Sequence, residues 1–405
     1  MTFLALFVAI VFLYSLVSER VERVATAPVV FTMAGLLLPV VVPEFNASGF
    51  ELTRFLWVAE AGLVLLLFTD ATRTDLSLLR KIRDLPARLL GPGLLLTIAL
   101  GAVVAVFIFP NLSIWEACLV AVILAPTDAG LGQVVVESPR VPARIRQALN
   151  VEAGLNDGLS VPFLLFFLAM LEAGGGSTDA TLTRFIGLQL GLGALLGLGI
   201  GLGGGWLLQR ASRAGSLTES FAPRGLIALP FFCFVGAERL QASMFIAAFV
   251  AGLAAQRMFP GAGKHAVDFS EQSGQVLNLA VFFLFGLAIG RSLDLLSPIY
   301  FLYGILSLTV IRMLPVAVAL LGARLQRATV VFMGWFGPRG LASIVLGLLV
   351  VERELGTPGD PTIRGVVVAT ILMSIVLHGV SAQPGIAWYA GKVRAFPPGV
   401  PELAE

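Results

Sequence analysis

Apolar segments of about 17 to 25 residues recur along the whole chain, and no other feature so narrows what it can fold into. A segment of that length crosses roughly 30 Å of hydrocarbon as a helix. Of the 405 residues, 57% are hydrophobic and only 13% charged, a balance that excludes an ordinary soluble domain. The chain therefore reads as an all-α polytopic membrane protein. Its thirteen transmembrane helices fall near residues 2–18, 25–43, 55–70, 90–109, 114–136, 147–171, 185–209, 225–237, 241–258, 273–290, 298–321, 328–350 and 363–384. The eighth is unusually short.

Lys and Arg favour cytoplasmic loops. Nineteen of the 27 basic residues lie after odd-numbered spans or in the tail, and six after even-numbered ones. Arg312 and Arg339 are left inside spans. The N-terminus is thus expected outside and the C-terminus in the cytoplasm of a bacterial-type inner (plasma) membrane. The opening MTFLALFVAIVFLYSL has no basic n-region and no small-residue cleavage site before Glu19, so it reads as a first span and not as a leader. Cys118 and Cys233 fall inside spans, where they read as packing residues. The net charge of +2 follows from topology and gives no sign of nucleic-acid binding.

The loops leave no room for a soluble domain, so function is expected within the bilayer. Thr72 to Leu90 reads as a short cytoplasmic amphipathic helix, with Leu76, Leu79, Ile82 and Leu85 at helical spacing. The small residues of GLQLGLGALLGLGIGLGGGW in span 7 suit close helix packing.

Six spans, a linking span and six more place the two sets in opposite orientations, the topology of inverted-repeat transporters. Within that scheme span 5, with ILAPTDAGLG at Ile123–Gly132, corresponds to span 12, with GWFGPRG at Gly334–Gly340. Proline, glycine and a charge in an apolar run break the helix, and a broken helix frees carbonyls and half-helix ends for a buried ion.

Thr127 and Asp128 lie roughly 18 Å along span 5, about half its length. Asp157 is near the middle of span 6 and Arg339 near the middle of span 12. A charge at that depth costs about 2.5 to 3.5 kcal/mol and must face a partner or water. In NVEAGLNDGLSVPF, Glu152 and Asn156 share a helix face while Asp157 turns about 100° further. Glu152 and Arg312 are at similar depth, so they are allowed to pair and leave Asp157 free. Glu60 in span 3 either lines an aqueous funnel or packs near the outer interface. His265 reads as a loop residue and His378 as a helix-end residue, neither as a ligand.

At these residues the sequence resembles the monovalent cation/proton antiporter family that contains the sodium/proton exchangers and NhaP-type antiporters. The matching set, in order, is LLLFTDATRTDLSLLR, APTDA, VEAGLNDG, FFLFGLAIG, Arg312, GWFGPRG and HGV. The resemblance implies an NhaA-like fold with two interrupted, crossing helices. It implies Asp157 as the shared proton and cation carrier, Thr127 and Asp128 completing a Na⁺ site, and Asn156, Glu152, Arg312 and Arg339 in support. It also implies a homodimer: dimer-domain spans in 1–70, a cytoplasmic linker at 71–89, core spans in 90–171, a linker and dimer-domain spans in 185–290, core spans in 298–384, and a short tail at 385–405. The chain departs from the family pattern at Ala129, where proline is common, and at Ala153, where a serine hydroxyl is common. Ser160 or Ser343 is placed to substitute.

The function expected is electroneutral Na⁺/H⁺ antiport by alternating access. Na⁺, Li⁺ or K⁺ and H⁺ would be the transported species, with no resident cofactor and no enzymatic chemistry. K⁺/H⁺ exchange, a cation channel and a non-transporting membrane sensor are the alternatives.

Overall fold

A computed structural model describes residues 2–41, 52–73, 84–174, 185–259, 263–291, 293, 296–353 and 356–403. Among them the chain is helical, without strands: α1 Thr2–Val21, α2 Ala27–Val41, α3 Leu52–Arg73, α4 Asp84–Ile108, α5 Ile114–Ile123, α6 Ala129–Glu137, α7 Ala143–Glu172, α8 Gly187–Arg213, α9 Ala222–Leu240, α10 Met244–Met258, α11 Gly263–Gly290, α12 Pro298–Ala319, α13 Arg327–Trp335, α14 Leu341–Glu352 and α15 Asp360–Val393. Six are long and apolar enough to cross a bilayer unaided: α4, α7, α8, α12, α15 and the Phe55–Thr72 stretch of α3. Large apolar side chains such as Phe12, Phe107 and Trp206 stay on the outside of the bundle, as lipid-facing residues do.

Helices α2, α3 and α8–α11 pack on one another; α4–α7 and α12–α15 form a second group. The first group is held by close backbone contact. A Cβ on Gly286 would strike the Thr32 backbone, and one on Gly197 or Gly201 would strike the backbone of Ala247 or Ala251. Small residues permit this approach, which gains dispersion contact where no hydrophobic drive between helices exists.

Two of the helical runs are broken at mid-length. In the first, Pro126 offers no N–H and biases Ala125 away from the α region, so α5 stops at Ile123 and α6 restarts with Asp128 as its N-cap. In the second, Pro338 has the same effect on Gly337, and α14 restarts after Gly340. The start of α5 carries a capping box, with Glu116 N donating to Ser113 Oγ at 3.3 Å and Ser113 N to Glu116 Oε2 at 2.7 Å.

Several helices run beyond their apolar segments. The short eighth segment belongs to a 19-residue helix, α9. His265 lies in the first turn of α11, not in a loop, because α11 begins ten residues before its apolar stretch. His378 lies inside the 34-residue α15, not at a helix end. Of the Thr72–Leu90 segment, residues 74–83 lie outside the described residues, while 84–90 are helical and run directly into α4. After α15 the chain folds back as a single 3₁₀ turn, Pro401–Leu403. There Glu402 Oε1 accepts from Gln326 N at 2.6 Å and Thr329 Oγ1 at 2.9 Å, and Arg144 Nη1 donates to Pro401 O at 2.8 Å.

Candidate functional site

The two breaks meet. Asp128 N donates to Pro338 O at 2.7 Å, and the Asp128 carboxylate takes one hydrogen bond from each restarting half-helix: Leu131 N to Oδ1 at 2.7 Å, and Leu341 N to Oδ2. One carboxylate thus caps both α6 and α14, where unsatisfied N–H groups and the helix dipoles favour negative charge. Gly340 is required for this approach, since a Cβ there would collide with the carboxylate.

Carbonyls freed by the breaks are largely taken up inside the protein. Arg339 Nη1 donates to Ala125 O at 2.8 Å and Pro126 O at 3.1 Å, and Arg339 N donates to Ser374 Oγ at 2.6 Å. His378 Nε2 is 2.9 Å from Trp335 O, at the end of α13, and its Nδ1 is 3.2 Å from Ser374 Oγ. Nδ1 also lies 3.0 Å from Ser374 O, so the ring sits between the carbonyls of Trp335 and Ser374, and the tautomer decides which of them takes its proton. His378 braces the second break, a role its position in the sequence did not suggest. The expectation that the freed carbonyls serve an ion is thereby narrowed: those of Ala125, Pro126, Trp335 and Pro338 are already engaged.

What remains for a ligand is side-chain oxygen. Asp157 on α7 is buried at 3% exposure and its Oδ1 has no hydrogen-bond donor. Its electrostatic neighbours are Asp128 and Asp70. Asn156 Nδ2 donates to Thr127 Oγ1 at 2.6 Å, tying α7 to the first break, and this leaves Asn156 Oδ1 buried without a donor. Ser160 Oγ is turned back to Asn156 O at 2.7 Å, whereas Ser343 Oγ is buried and unpartnered.

Glu152 lies one and a half turns from Asp157, and its Oε1 is 2.6 Å from Arg312 Nη1; both side chains are buried. Arg312 also fills the space that a side chain at Gly337 would need. The sequence-derived residues Thr127, Asp128, Glu152, Asn156, Asp157, Arg312 and Arg339 thus surround one crossing.

Asp70 on α3 was given no individual role by the sequence. Its Cβ and Cγ come to 3.2 and 3.4 Å of where a Cβ on Gly154 would stand, one turn from Asp157. The only signal was a charge in LLLFTD, near the end of an apolar span. Glu60 is buried at 8% exposure with Glu238 and Glu352 as electrostatic neighbours. It does not line the nearby cavity of about 610 Å³ bounded by Glu172, Glu238, Phe245 and Arg353.

A multi-pass helical membrane protein with two interrupted helices joined at a buried carboxylate defines a class of ion carrier. Residues 4–388 match the transmembrane family described as sodium/hydrogen exchanger, and the chain belongs to that family. It is 23% identical over 391 residues to the K(+)/H(+) antiporter NhaP of Alkalimonas amylolytica, covering 95% of this chain and 66% of that one. It is 26% identical over 336 residues to the K(+)/H(+) antiporter NhaP2 of Shewanella oneidensis, covering 80% and 56%. A Na(+)/H(+) antiporter of Schizosaccharomyces pombe is 26% identical over 331 residues, covering 71% and 68%. The chain therefore spans between 56% and 68% of the length of these relatives. In fold it resembles the sodium proton antiporter MjNhaP1 from Methanocaldococcus jannaschii, with a TM-score of 0.78 at 20% identity over 96% of this chain and 99% of that one.

Proposed function

We propose that the chain is a secondary antiporter that exchanges Na⁺ for H⁺ electroneutrally by alternating access, with Asp157 binding either the cation or the proton. The observation that carries this reading is the buried Asp157 carboxylate, with one oxygen unengaged, beside the point where the two interrupted helices meet. Thr127 and Asp128 complete the cation site. Asn156 holds the first break, Arg339 joins the two breaks, and the Glu152–Arg312 pair stiffens the helices behind them. With cation bound, Asp157 is ionised and neutralised by its ligand; with the cation released, a proton takes its place. The neutral loaded states cross between the two sides, and the empty charged site does not.

The architecture that goes with this reading has thirteen spans in two inverted sets, an NhaA-like fold. The group built on α4–α7 and α12–α15 moves against the group built on α2, α3 and α8–α11, which forms the homodimer contact in a plasma membrane with the N-terminus outside. No resident cofactor and no covalent step is needed. K⁺/H⁺ exchange is the second reading: two of the relatives carry that name, and Ala153 offers no hydroxyl where the family commonly has one.

The test is proteoliposome flux driven by Na⁺, Li⁺ and K⁺ in turn. Asp157→Asn should abolish cation-driven pH change with every ion. Normal exchange by that variant would overturn the assignment. Cation flux without counter-movement of protons would indicate a channel, and no flux at all a sensor.

A further inference from the structure

Beyond Asp157, Asp128 and Thr127, one more buried amide lies against the first break, and it comes from the other helix group. Asn278 is on α11 and only 8% exposed. Its Nδ2 stands 2.6 Å from where a Cβ on Gly130 would be, and Asp128 Oδ1 stands 3.1 Å from the same point. The amide and the capping carboxylate therefore flank one glycine, the second residue of α6. Asn278 Oδ1 is buried and accepts no hydrogen bond.

Three residues that adjoin Thr127–Gly130, on two helices of opposite groups, thus each have an acceptor without a donor: Asn156 Oδ1, Asp157 Oδ1 and Asn278 Oδ1. Buried polar groups are nearly always partnered, so acceptors left open beside Asp128 and Asp157 offer a cation its ligands, while the open nitrogens nearby belong to guanidinium groups already engaged with Ala125 O, Pro126 O and Glu152. Hard monovalent cations are held by oxygens, and amide oxygens serve as neutral ligands. The position also suits access. From Asp128 and Asp157, α6 and the first half of α7 run side by side to the short turn between them, and the two glycines on that side, Gly130 and Gly154, are met by Asn278 and Asp70.

We propose that Asn278 is a specificity-determining ligand of the transported cation, its amide oxygen supplying from α11 the neutral oxygen that Ala153 lacks. This rests on the antiport reading. Because α11 belongs to the other helix group, the ligand is present in the state described here and withdrawn when the groups shift, so affinity differs between the two faces of the membrane.

The test uses the full chain, purified in detergent and reconstituted. Thermal stabilisation by Na⁺, Li⁺ and K⁺, with choline as control, gives an apparent Kd for each; oriented proteoliposomes give KM and Vmax. Asn278→Ala should raise the apparent Kd and KM for the preferred cation about tenfold, the loss of one ligand, with a much smaller change in Vmax and an altered order among the three ions. Gly130→Ala, which displaces the amide, should give the same shift, and the double variant no further one. Asn278→Gln, which keeps an amide oxygen, should recover part of the affinity. Wild-type Kd, KM and ion order in Asn278→Ala would overturn the proposal, as would a variant that only melts earlier with its Kd unchanged. If the wild-type chain neither binds nor exchanges any of the three ions, the antiport reading falls, and this one with it.

Discussion

At the scale of single residues, the Glu152–Arg312 pair offers a stability test independent of transport. Its charges lie 2.6 Å apart with both side chains at 4% exposure or less. Removing one partner leaves the other buried and unpaired, a loss of about 3 to 5 kcal/mol. Arg312→Ala should therefore melt well below wild type in detergent, and Arg312→Ala with Glu152→Gln should regain part of the loss. Additive losses in thermal melts would show that the pair is not coupled. This partnership was legible in the sequence, because a charge inside the bilayer demands a counter-charge at its own depth and few candidates exist. The contacts of Arg339 were not. They are carbonyl oxygens of Ala125 and Pro126, more than 200 residues away, and a backbone acceptor leaves no trace in residue type. Asp70 is inconspicuous for a different reason: it adjoins the polar run from Thr72 onward, where a charge is cheap and calls for no function. Asn278, neutral and lacking any motif, gave no signal.

At the scale of elements, the paired interruptions depend on a glycine that no side chain can replace. A Cβ on Gly340 would collide with the Asp128 carboxylate, which cannot retreat because Leu131 N and Leu341 N hold it from two sides. Gly340→Ala should cost about 1 to 3 kcal/mol as overpacking and, by pushing the carboxylate out of register, slow cation-driven exchange at least about tenfold. A variant with unchanged melting temperature and exchange rate would show that the crossing tolerates the displacement. The breaks themselves were plain in the sequence, since proline and glycine in an apolar run have no other cheap explanation. Helix ends were less so. α11 and α15 continue through polar residues past their apolar segments, and apolarity marks where a helix meets lipid, not where its hydrogen bonds stop.

For the whole molecule, the charge carried per cycle follows from which carboxylates titrate. Asn156 next to Asp157 is an amide engaged with Thr127 and has no proton to exchange. Asp128 accepts hydrogen bonds from the N-termini of two half-helices, and the proposed one-for-one exchange requires it to keep one charge state through the cycle. In the proposed cycle Asp157 alone alternates between proton and cation, and the site would cross the membrane with the same charge in both directions. Clamping the liposome potential with K⁺ and valinomycin should leave the Na⁺/H⁺ rate unchanged. A rate that changes steeply with potential would mean that a second group titrates.

The returning 3₁₀ turn has a mechanical consequence. Its three hydrogen bonds end on Gln326 and Thr329, at the start of α13, and on Arg144, in the first turn of α7. A pull on the chain beyond Leu403 is therefore borne first by the two helices that lead to Gly334 and Asp157, and the strain reaches the far end of α15 only after those bonds have parted.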